Sequence, residues 1–355
     1  MAKTRDSIGI DLGAGGIKAA SLAREKKGVR LVTYGFTERS VGEMGNDWLA
    51  DIDGTAALIR KICDRAHITG GRASTALPIA SVFSSVINLP VAVSKGKELE
   101  AAVQWEAKKL IPLPLEEVIL DWKILPPVSV LAKGKEEKGA EKKEKMVEVL
   151  LTGAPKALVQ KYIEVFKKAG FTLGALETES FAFIRSLVGN DLSLVAIVDI
   201  GARKSNIVFV DRGVPFLSRS IEIGGKNFTD RIADVLKMPV ERAEEVKRNI
   251  SELSALQSLP DLIKGVITPL LNEIKYSFDV YRTRNGGTRP LEKIILTGGS
   301  SALPKLSEHF TEFFNLRTFQ GDPWARLQYP EELKPVLQSI GARFSVALGL
   351  AMREI

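Results

Sequence analysis

Two aspartates, Asp11 and Asp199, each stand near the end of an apolar run and are followed, one residue later, by a glycine and an alanine. The runs cover residues 8–18 and 197–207, and in both the chain passes through a tight turn into a second apolar run. A strand would carry the carboxylate at its end, while the glycine allows the turn to adopt a positive φ. The N–H groups of such a turn converge on a small space that suits phosphate oxygens.

A carboxylate beside a phosphate repels it unless a cation lies between them. Mg²⁺ fills that role well, because it keeps several waters and takes only one or two carboxylates. Two such hairpins facing each other would therefore hold a Mg-nucleotide. Either hairpin alone could be an ordinary turn, but the repetition in similar apolar surroundings favours the binding function.

The composition excludes several other kinds of site. Cys63 is the single cysteine, which rules out an internal disulfide framework and a multi-cysteine metal site, and its helical surroundings predict a buried thiol. His67 and His309 are the two histidines, too few to favour a histidine metal site or a Ser-His-Asp triad. The net charge of +7 is scattered and aromatic residues make up 7%, so a basic surface is favoured over a nucleic-acid site.

Neither a signal peptide nor a membrane span is expected. Residues 1–6 lack an apolar core, which predicts a cytoplasmic protein. Residues 73–94 carry no charge, but this stretch contains Pro78 and Pro90, which would leave backbone polar groups without hydrogen-bond partners in lipid. Two buried strands, 72–77 and 82–89, explain the stretch better.

The elements that position the two hairpins repeat along the chain. Strand 29–36 extends the first hairpin into a three-stranded meander, and strand 214–221 does the same for the second. This internal duplication predicts a two-lobed body with a cleft between its lobes. Further strands are predicted at 118–125, 146–152, 173–176 and 291–296, and helices at 54–68, 97–110 (capped by Ser94), 155–168, 180–188, 227–236, 240–249, 258–284 and 340–352.

One long segment, 37–152, is predicted to form a separate α/β insert after the first meander. Within it, residues 132–145 consist almost wholly of lysine, glutamate, glycine and alanine, and we expect a disordered hairpin tip there.

Two further patterns suit a flat ligand. Strand 291–296 ends in Thr297, Gly298, Gly299 and Ser300, where paired glycines let a ligand approach the backbone closely. Glu244 and Lys247 are three residues apart on one helical face; the alternative for them is a surface ion pair, worth a few tenths of a kcal/mol.

The order of these pieces resembles the actin superfamily, which includes sugar kinases, 70-kilodalton heat-shock chaperones, MreB and FtsA. The resemblance implies that ATP binds between the lobes and that Asp11 and Asp199 hold a hydrated Mg²⁺. The residues implied to contact phosphates are Gly13, Ala14, Gly15, Gly16, Lys18, Gly201, Ala202, Arg203 and Lys204. Those implied around the adenosine are Glu244, Lys247, Gly298, Gly299 and Ser300, and Gly224 and Gly225 complete the expected cofactor-binding set.

Within the superfamily, the chain is similar to the PilM family of type IV pilus assembly. The similar stretches are 105–122, 76–78 with 88–90, 176–183 and 347–351. The resemblance implies an α/β, actin-like (ribonuclease-H-like) two-lobed fold with a nucleotide cleft and an FtsA-type inserted α/β subdomain of the SHS2 kind. The expected subdomains are 1–36 with 153–196 and 336–355; 37–152; 197–224 with 291–335; and 225–290.

The family also implies partners and a location. The N-terminal cytoplasmic peptide of PilN would lie in a groove between the insert and the first lobe, which would hold the protein at the inner face of the inner membrane. Other platform and motor proteins and self-association are further expectations; direct membrane insertion and nucleic-acid binding are not. The alternatives are an FtsA-like division filament, disfavoured because residues 353–355 are not followed by an amphipathic tail, and a sugar or metabolite kinase, for which no convincing sugar pocket is found.

The chain departs from the family pattern in ways that bear on hydrolysis. The first turn offers no hydroxyl side chain, and Arg203 and Lys204 in the second turn would either clamp phosphate oxygens or point to solvent. Glu177 falls where chaperones carry a water-orienting acid, but it could equally favour the start of a helix. ATP binding with at most slow hydrolysis is the resulting expectation.

Overall fold

The computed structural model describes residues 6–91, 96–126, 146–249, 259–284 and 289–355. The chain divides into two compact units, Met1–Ile79 with Lys161–Ile355, and Ala80–Gln160. The expected cap Ser94 and the lysine- and glutamate-rich segment 132–145 lie outside the described residues.

Strands and helices follow the predicted order. The strands are β1 (Ser7–Gly13), β2 (Gly16–Glu25), β3 (Gly28–Phe36), β4 (Arg72–Leu77), β5 (Phe83–Pro90), β6 (Val118–Ile124), β7 (Met146–Pro155), β8 (Thr172–Thr178), β9 (Val195–Ile200), β10 (Ser205–Asp211), β11 (Val214–Ile221), β12 (Lys293–Thr297), β13 (Arg317–Gln320) and β14 (Leu327–Gln328). The helices are α1 (Ile52–Arg65), α2 (Gly96–Leu110), α3 (Lys156–Lys168), α4 (Glu179–Phe183), α5 (Gly225–Leu236), α6 (Val240–Arg248), α7 (Leu259–Arg284), α8 (Leu306–Phe314), α9 (Lys334–Ile340) and α10 (Ser345–Ala351).

The larger unit contains two sheets built on the same plan. The first has the strand order β14-β3-β2-β1-β4-β8, and the second has the order β11-β10-β9-β12-β13. In each, an antiparallel meander is joined to parallel strands through its first strand, β1 or β9. Both predicted meanders are therefore confirmed, and the two Asp-x-Gly motifs end the equivalent strands β1 and β9.

Apolar helices fix both sheets. Helix α10 packs against β1 and β2, and its residues are all buried. Helices α5 and α6 contribute Phe228, Ile232 and Val246 to the core that covers the second sheet. Helix α10 contacts β1 at Gly9, and the Gly225 N–H of α5 donates to the Gly201 carbonyl after β9, so each hairpin is joined to a helix.

In its described residues, the smaller unit contains one sheet and one long helix. Its strands have the order β5-β7-β6, and its core joins Val103 and Ala107 of α2 to Val149 and Leu151 of β7. Strands β4 and β5 account for most of the uncharged stretch 73–94, as predicted.

Two predicted boundaries differ from the structure. The insert was placed at 37–152, but α1 and β4 belong to the larger unit, because β4 pairs in parallel with β1 and with β8. The second lobe was drawn to residue 335, but β14 pairs with β3 of the first sheet. Both differences arise from parallel pairings between segments far apart in sequence, which local patterns do not reveal.

The last predicted helix, 340–352, is interrupted. A 3-10 turn, Gly341–Phe344, separates α9 from α10. By length and apolar composition the run Glu331–Glu354 could cross a membrane, contrary to our expectation of no spanning helix, and 56% of its apolar window is buried. A buried core helix meets the same criteria, and α10 packs as one.

Candidate functional site

The turns of the two hairpins lie next to each other in the larger unit. A Cβ built on Gly15 would lie 3.2 Å from the Cβ of Ala202. Gly16 has a φ of +145°, and a Cβ there would lie 1.9 Å from the Thr37 carbonyl oxygen, so only glycine fits. The structure thus brings together the two turns that the sequence predicted to share a ligand.

Asp11 and Lys18 form a charged pair across the first hairpin. They are partners in the β1–β2 ladder, and Lys18 Nζ lies 3.5 Å from Asp11 Oδ2. Burial raises the pKa of Asp11, and the charge and hydrogen bond of Lys18 lower it in part. Lys18 therefore offsets part of the negative charge at the end of β1.

A second acidic residue, Glu179, joins Asp199 near the other hairpin. The side-chain amide of Asn206 donates to Glu179 Oε2 and to Asp199 Oδ2, both at 3.2 Å. The Ile79 N–H also donates to Glu179 Oε2, at 3.0 Å. Burial, reinforced by neighbouring carboxylates, raises the pKa of Glu179 to about 8 and that of Asp199 to about 6.

The chemistry of this donor set fits a hydrated magnesium ion. Asp11 raises the pKa of Asp199, both aspartates raise the pKa of Glu179, and the charge of Lys18 opposes these effects. A divalent cation would offset the burial of these negative charges. Among the described residues, no group of three or more His, Cys, Asp or Glu side chains is spaced to hold a metal ion. Contact through water, which Mg²⁺ favours, therefore fits better than direct ligation.

Glu177, expected to orient water, is bound by two arginines. Its carboxylate pairs with Arg185 and with Arg353, the latter at 2.7 Å. Strand β8 continues to Thr178, so the acid that begins the next helix and faces Asp199 is Glu179. The sequence analysis missed Glu179; the signal was the pair of glutamates two residues apart at a strand-to-helix boundary.

The basic residues of the second turn are engaged by the protein itself. Lys204 Nζ pairs with Glu222 at 2.7 Å on the surface. The Arg203 side chain lies against Gly45, where a Cβ would come within 2.0 Å of Arg203 Cδ. The Gly201 carbonyl accepts from the Gly225 N–H at 2.8 Å, which ties the second turn to the start of α5.

Glu244 and Lys247 are buried, not a surface ion pair. Each side chain is 10% exposed, and Lys247 Nζ lies 2.6 Å from Glu244 Oε2. Lys247 also donates to Thr229 Oγ1 at 2.8 Å and to the Gly225 carbonyl at 3.1 Å. Burial lowers the pKa of Lys247 although Glu244 opposes the shift. The pair therefore places a hydrogen-bonded polar surface beside the start of α5.

The predicted Gly-Gly turn lies next to this polar surface. Gly298 has a φ of +87°, and a Cβ there would lie 2.5 Å from Asp199 Oδ1. A Cβ on Gly225 would lie 2.5 Å from Ser300 Oγ and 3.3 Å from Lys247 Nζ. These glycines let α5, α6 and the turn after β12 meet closely next to Asp199, and this meeting point is called the recess below.

An ionic network lies beside the recess, and the sequence analysis did not find it. The Glu38 carboxylate accepts from Arg248 Nη1 at 2.6 Å and pairs with Arg343. Arg248 Nε also donates to Glu244 Oε1 at 3.0 Å. Burial raises the pKa of Glu38, but the hydrogen bonds and charges of both arginines outweigh this and lower it. The network thus joins the segment after β3 to the end of α6.

The comparisons with known proteins agree on the fold. A family model described as Type IV pilus assembly protein PilM matches residues 9–355. A solved "PilM-PilN type IV pilus biogenesis complex" is similar to the chain, with a TM-score of 0.81 and 26% identity, covering 99% of both chains. Cell division protein FtsA of Bacillus subtilis (strain 168) is 24% identical over 333 residues, which are 84% of this chain and 74% of that protein.

More distant structures share the architecture. MreB 5 of Spiroplasma citri bound to AMPPNP has a TM-score of 0.53 at 14% identity, covering 99% of this chain and 96% of its own. Ethanolamine utilization protein EutJ from Carboxydothermus hydrogenoformans has a TM-score of 0.58 at 17% identity, with 99% and 90% covered. At this identity the likeness concerns the fold alone, which is actin-like, as the sequence predicted.

Proposed function

We propose, from the premise that this chain belongs to the PilM family of type IV pilus assembly proteins, that it is an ATP-binding scaffold of the pilus assembly platform. In this proposal it holds Mg-ATP in the actin-like body and binds the N-terminal cytoplasmic peptide of a PilN partner. Nucleotide would act by holding the two sheets of the larger unit in one relative orientation.

One observation carries the nucleotide proposal: the two Asp-x-Gly turns lie side by side, with Asp11 buried and Asp199 and Glu179 partly buried next to them. Clustered carboxylates removed from water are costly unless a cation joins them. Mg²⁺ would supply that charge and link the carboxylates to phosphate oxygens. In this proposal the base and the ribose would lie against Lys247, Gly225 and Ser300, where α5, α6 and the turn after β12 meet.

Glu179 bears on whether a bound nucleotide is hydrolysed. A carboxylate can orient a water and accept its proton only when it is ionised. In the nucleotide-free protein, burial raises the pKa of Glu179 to about 8, so this side chain holds a proton near neutral pH. A bound Mg²⁺ would lower this pKa, so Glu179 would be able to act as a base only once Mg-ATP is in place.

Calorimetric titration with Mg-ATP tests the nucleotide proposal. The wild-type protein should bind, and Asp11→Ala should weaken binding at least about tenfold, equivalent to 1.4 kcal/mol. The matched control is Asp64→Ala, on the exposed face of α1, which should leave affinity unchanged. Absence of binding by folded wild-type protein would refute the proposal.

The partner proposal rests on the likeness to the PilM-PilN complex, which spans 99% of both chains. Its test is titration of a synthetic N-terminal cytoplasmic peptide of PilN from the same source, with a scrambled peptide as control, in the presence and absence of Mg-ATP. Binding of the natural sequence alone is expected. Equal binding of both peptides, or of neither, would refute this part while leaving the nucleotide part intact.

A cytoplasmic location, with attachment to the inner membrane through the partner, is part of the same proposal. Flotation with anionic vesicles tests it: the protein alone should stay unbound, and vesicles that display the PilN peptide should recruit it. Binding to bare vesicles would favour an FtsA-like role.

A further inference from the structure

The segment between β3 and α1, residues 37–51, runs alongside the first phosphate-binding turn. The Thr37 N–H donates to the Ile17 carbonyl at 2.9 Å, and the Arg39 N–H donates to the Gly15 carbonyl at 3.0 Å. Farther along, the indole N–H of Trp48 donates to the Gly13 carbonyl at 2.9 Å. The segment therefore binds the carbonyl oxygens at both ends of the turn.

Trp48 is itself held from several directions. The Arg39 guanidinium carbon lies 3.2 Å from the centre of the ring, and Arg39 Nη1 donates to the Asn46 carbonyl at 2.5 Å. The Thr55 hydroxyl, in the first turn of α1, donates to the Trp48 carbonyl at 2.6 Å. An indole fixed by stacking and by its backbone can impose its own position on the carbonyl it binds.

The geometry of the peptide group gives this contact a consequence. In a trans peptide, the carbonyl of one residue and the N–H of the next point in opposite directions. When Trp48 holds the Gly13 carbonyl on the side of the segment, the Ala14 N–H must point away from the segment. Ala14 is the first residue of the turn between β1 and β2, where phosphate donors were predicted.

We propose that Trp48 is a positioning residue of the nucleotide site: its indole N–H fixes the Gly13 carbonyl and thereby aims the Ala14 N–H at the nucleotide phosphates. The inference deepens the proposed function and rests on it. It concerns phosphate contacts and not the adenosine recess, which is built from α5, α6 and the turn after β12.

The test isolates the indole N–H. Trp48→Phe removes it and part of the ring, whereas replacement of Trp48 by 3-benzothienylalanine removes it and keeps the shape and the stacking on Arg39. The control is Trp105→Phe, because Trp105 lies on α2 of the smaller unit and is 65% exposed. Each protein is titrated with Mg-ATP, and amide hydrogen exchange of a peptide covering residues 10–18 is measured without nucleotide.

Both Trp48 variants should weaken Mg-ATP binding about 5- to 15-fold, as expected for one lost hydrogen bond to a phosphate. They should also accelerate exchange in the turn, while the control matches wild type. Unchanged affinity in the benzothienylalanine protein would overturn the inference and leave the proposed function standing. Weakened affinity with unchanged exchange in the turn would also overturn it, and failure of the wild type to bind would overturn both.

Discussion

Glu177 and Glu179 are two residues apart, at the junction of β8 and α4, yet the carboxylate of Glu177 has positively charged neighbours and that of Glu179 has acidic ones. Glu177 is paired with Arg185 and Arg353. Glu179 faces Asp11 and Asp199, and within the described part of the chain its hydrogen-bond donors are neutral, the Ile79 N–H and the Asn206 amide. One glutamate therefore stabilises the fold, and the other lies among acidic neighbours at the candidate site and holds a proton near neutral pH in the nucleotide-free protein.

Glu177→Gln should lower the free energy of unfolding by about 1.5–3 kcal/mol, because two guanidinium groups lose a partner whose side chain is only 6% exposed. Chemical denaturation measures the change. Glu354→Gln is the matched control, since it removes an exposed ion pair with Arg72 and should cost less than about 1 kcal/mol. Equal effects of the two variants would show that the Glu177 pairs are no stronger than surface pairs.

The stability of the nucleotide-free protein should fall as the pH rises from about 5 to about 8. The folded-state pKa of Glu179, about 8, lies above its ordinary value of 4.5, so between these values the folded state binds more protons than the unfolded state. Asp199, with a pKa of about 6, adds to the loss in the lower part of the range. Thermal unfolding in chelator-treated buffers across this range measures the slope.

Glu179→Gln removes the titrating group and should flatten the slope above pH 6, with a gain at pH 8 of at least about 1.4 kcal/mol, the equivalent of one pKa unit. Saturating Mg-ATP should flatten the wild-type slope in the same way. Parallel slopes for the variant and the wild type would show that Glu179 does not titrate in this range.

Glu38→Gln should speed the release of nucleotide about 2- to 10-fold with a smaller effect on its capture. Glu38 joins Arg343 to Arg248, which also contacts Glu244 beside the recess, so these contacts must separate for the recess to open. Stopped-flow displacement of a fluorescent ATP analogue measures the rate. Added salt should accelerate release from the wild type, because the pairs are partly exposed, and should affect the variant less. Identical salt dependence of the two proteins would contradict this role.

The single cysteine should be unreactive in the folded protein. Cys63 is buried on α1, and burial raises the pKa of its thiol to about 12, so little thiolate is present near neutral pH. Its reaction with a thiol reagent should be at least about 100-fold slower than in the denatured protein and should accelerate through the unfolding transition. Fast labelling under native conditions would indicate local opening of α1.

Short-range pattern was enough to predict the fold of each hairpin. In both places an apolar strand, an aspartate and a glycine-containing turn form the predicted hairpin, and the two turns meet at Gly15 and Ala202. The Glu244–Lys247 pair was harder to interpret, because its burial depends on Thr229 and Gly225 of another helix.

Other features could not be read from sequence because they depend on where one element ends or on distant pairing. The predicted strand ended at residue 176, two residues before the end of β8, and this difference led to Glu177 and not Glu179 being chosen as the acid at the start of the helix. The start of the insert depended on β4, whose parallel partners β1 and β8 lie on either side of it in sequence. Glu38 and Trp48 act through Arg248 and Gly13, at sequence separations of 210 and 35.

The packing of α10 on β1 has a consequence for how the protein is made. A Cβ on Gly9 would lie 2.1 Å from the Ala347 carbonyl oxygen, so strand and helix meet backbone to backbone. During translation, more than three hundred residues are synthesised between β1 and this helix, so the first sheet lacks its covering helix for most of that time. The second sheet and its covering helices α5 to α7 lie within the contiguous residues 195–320 and can assemble before α10 is synthesised. We therefore expect nascent chains to expose the apolar surface of β1 and β2, and to need chaperone protection, until residues 345–351 have left the ribosome.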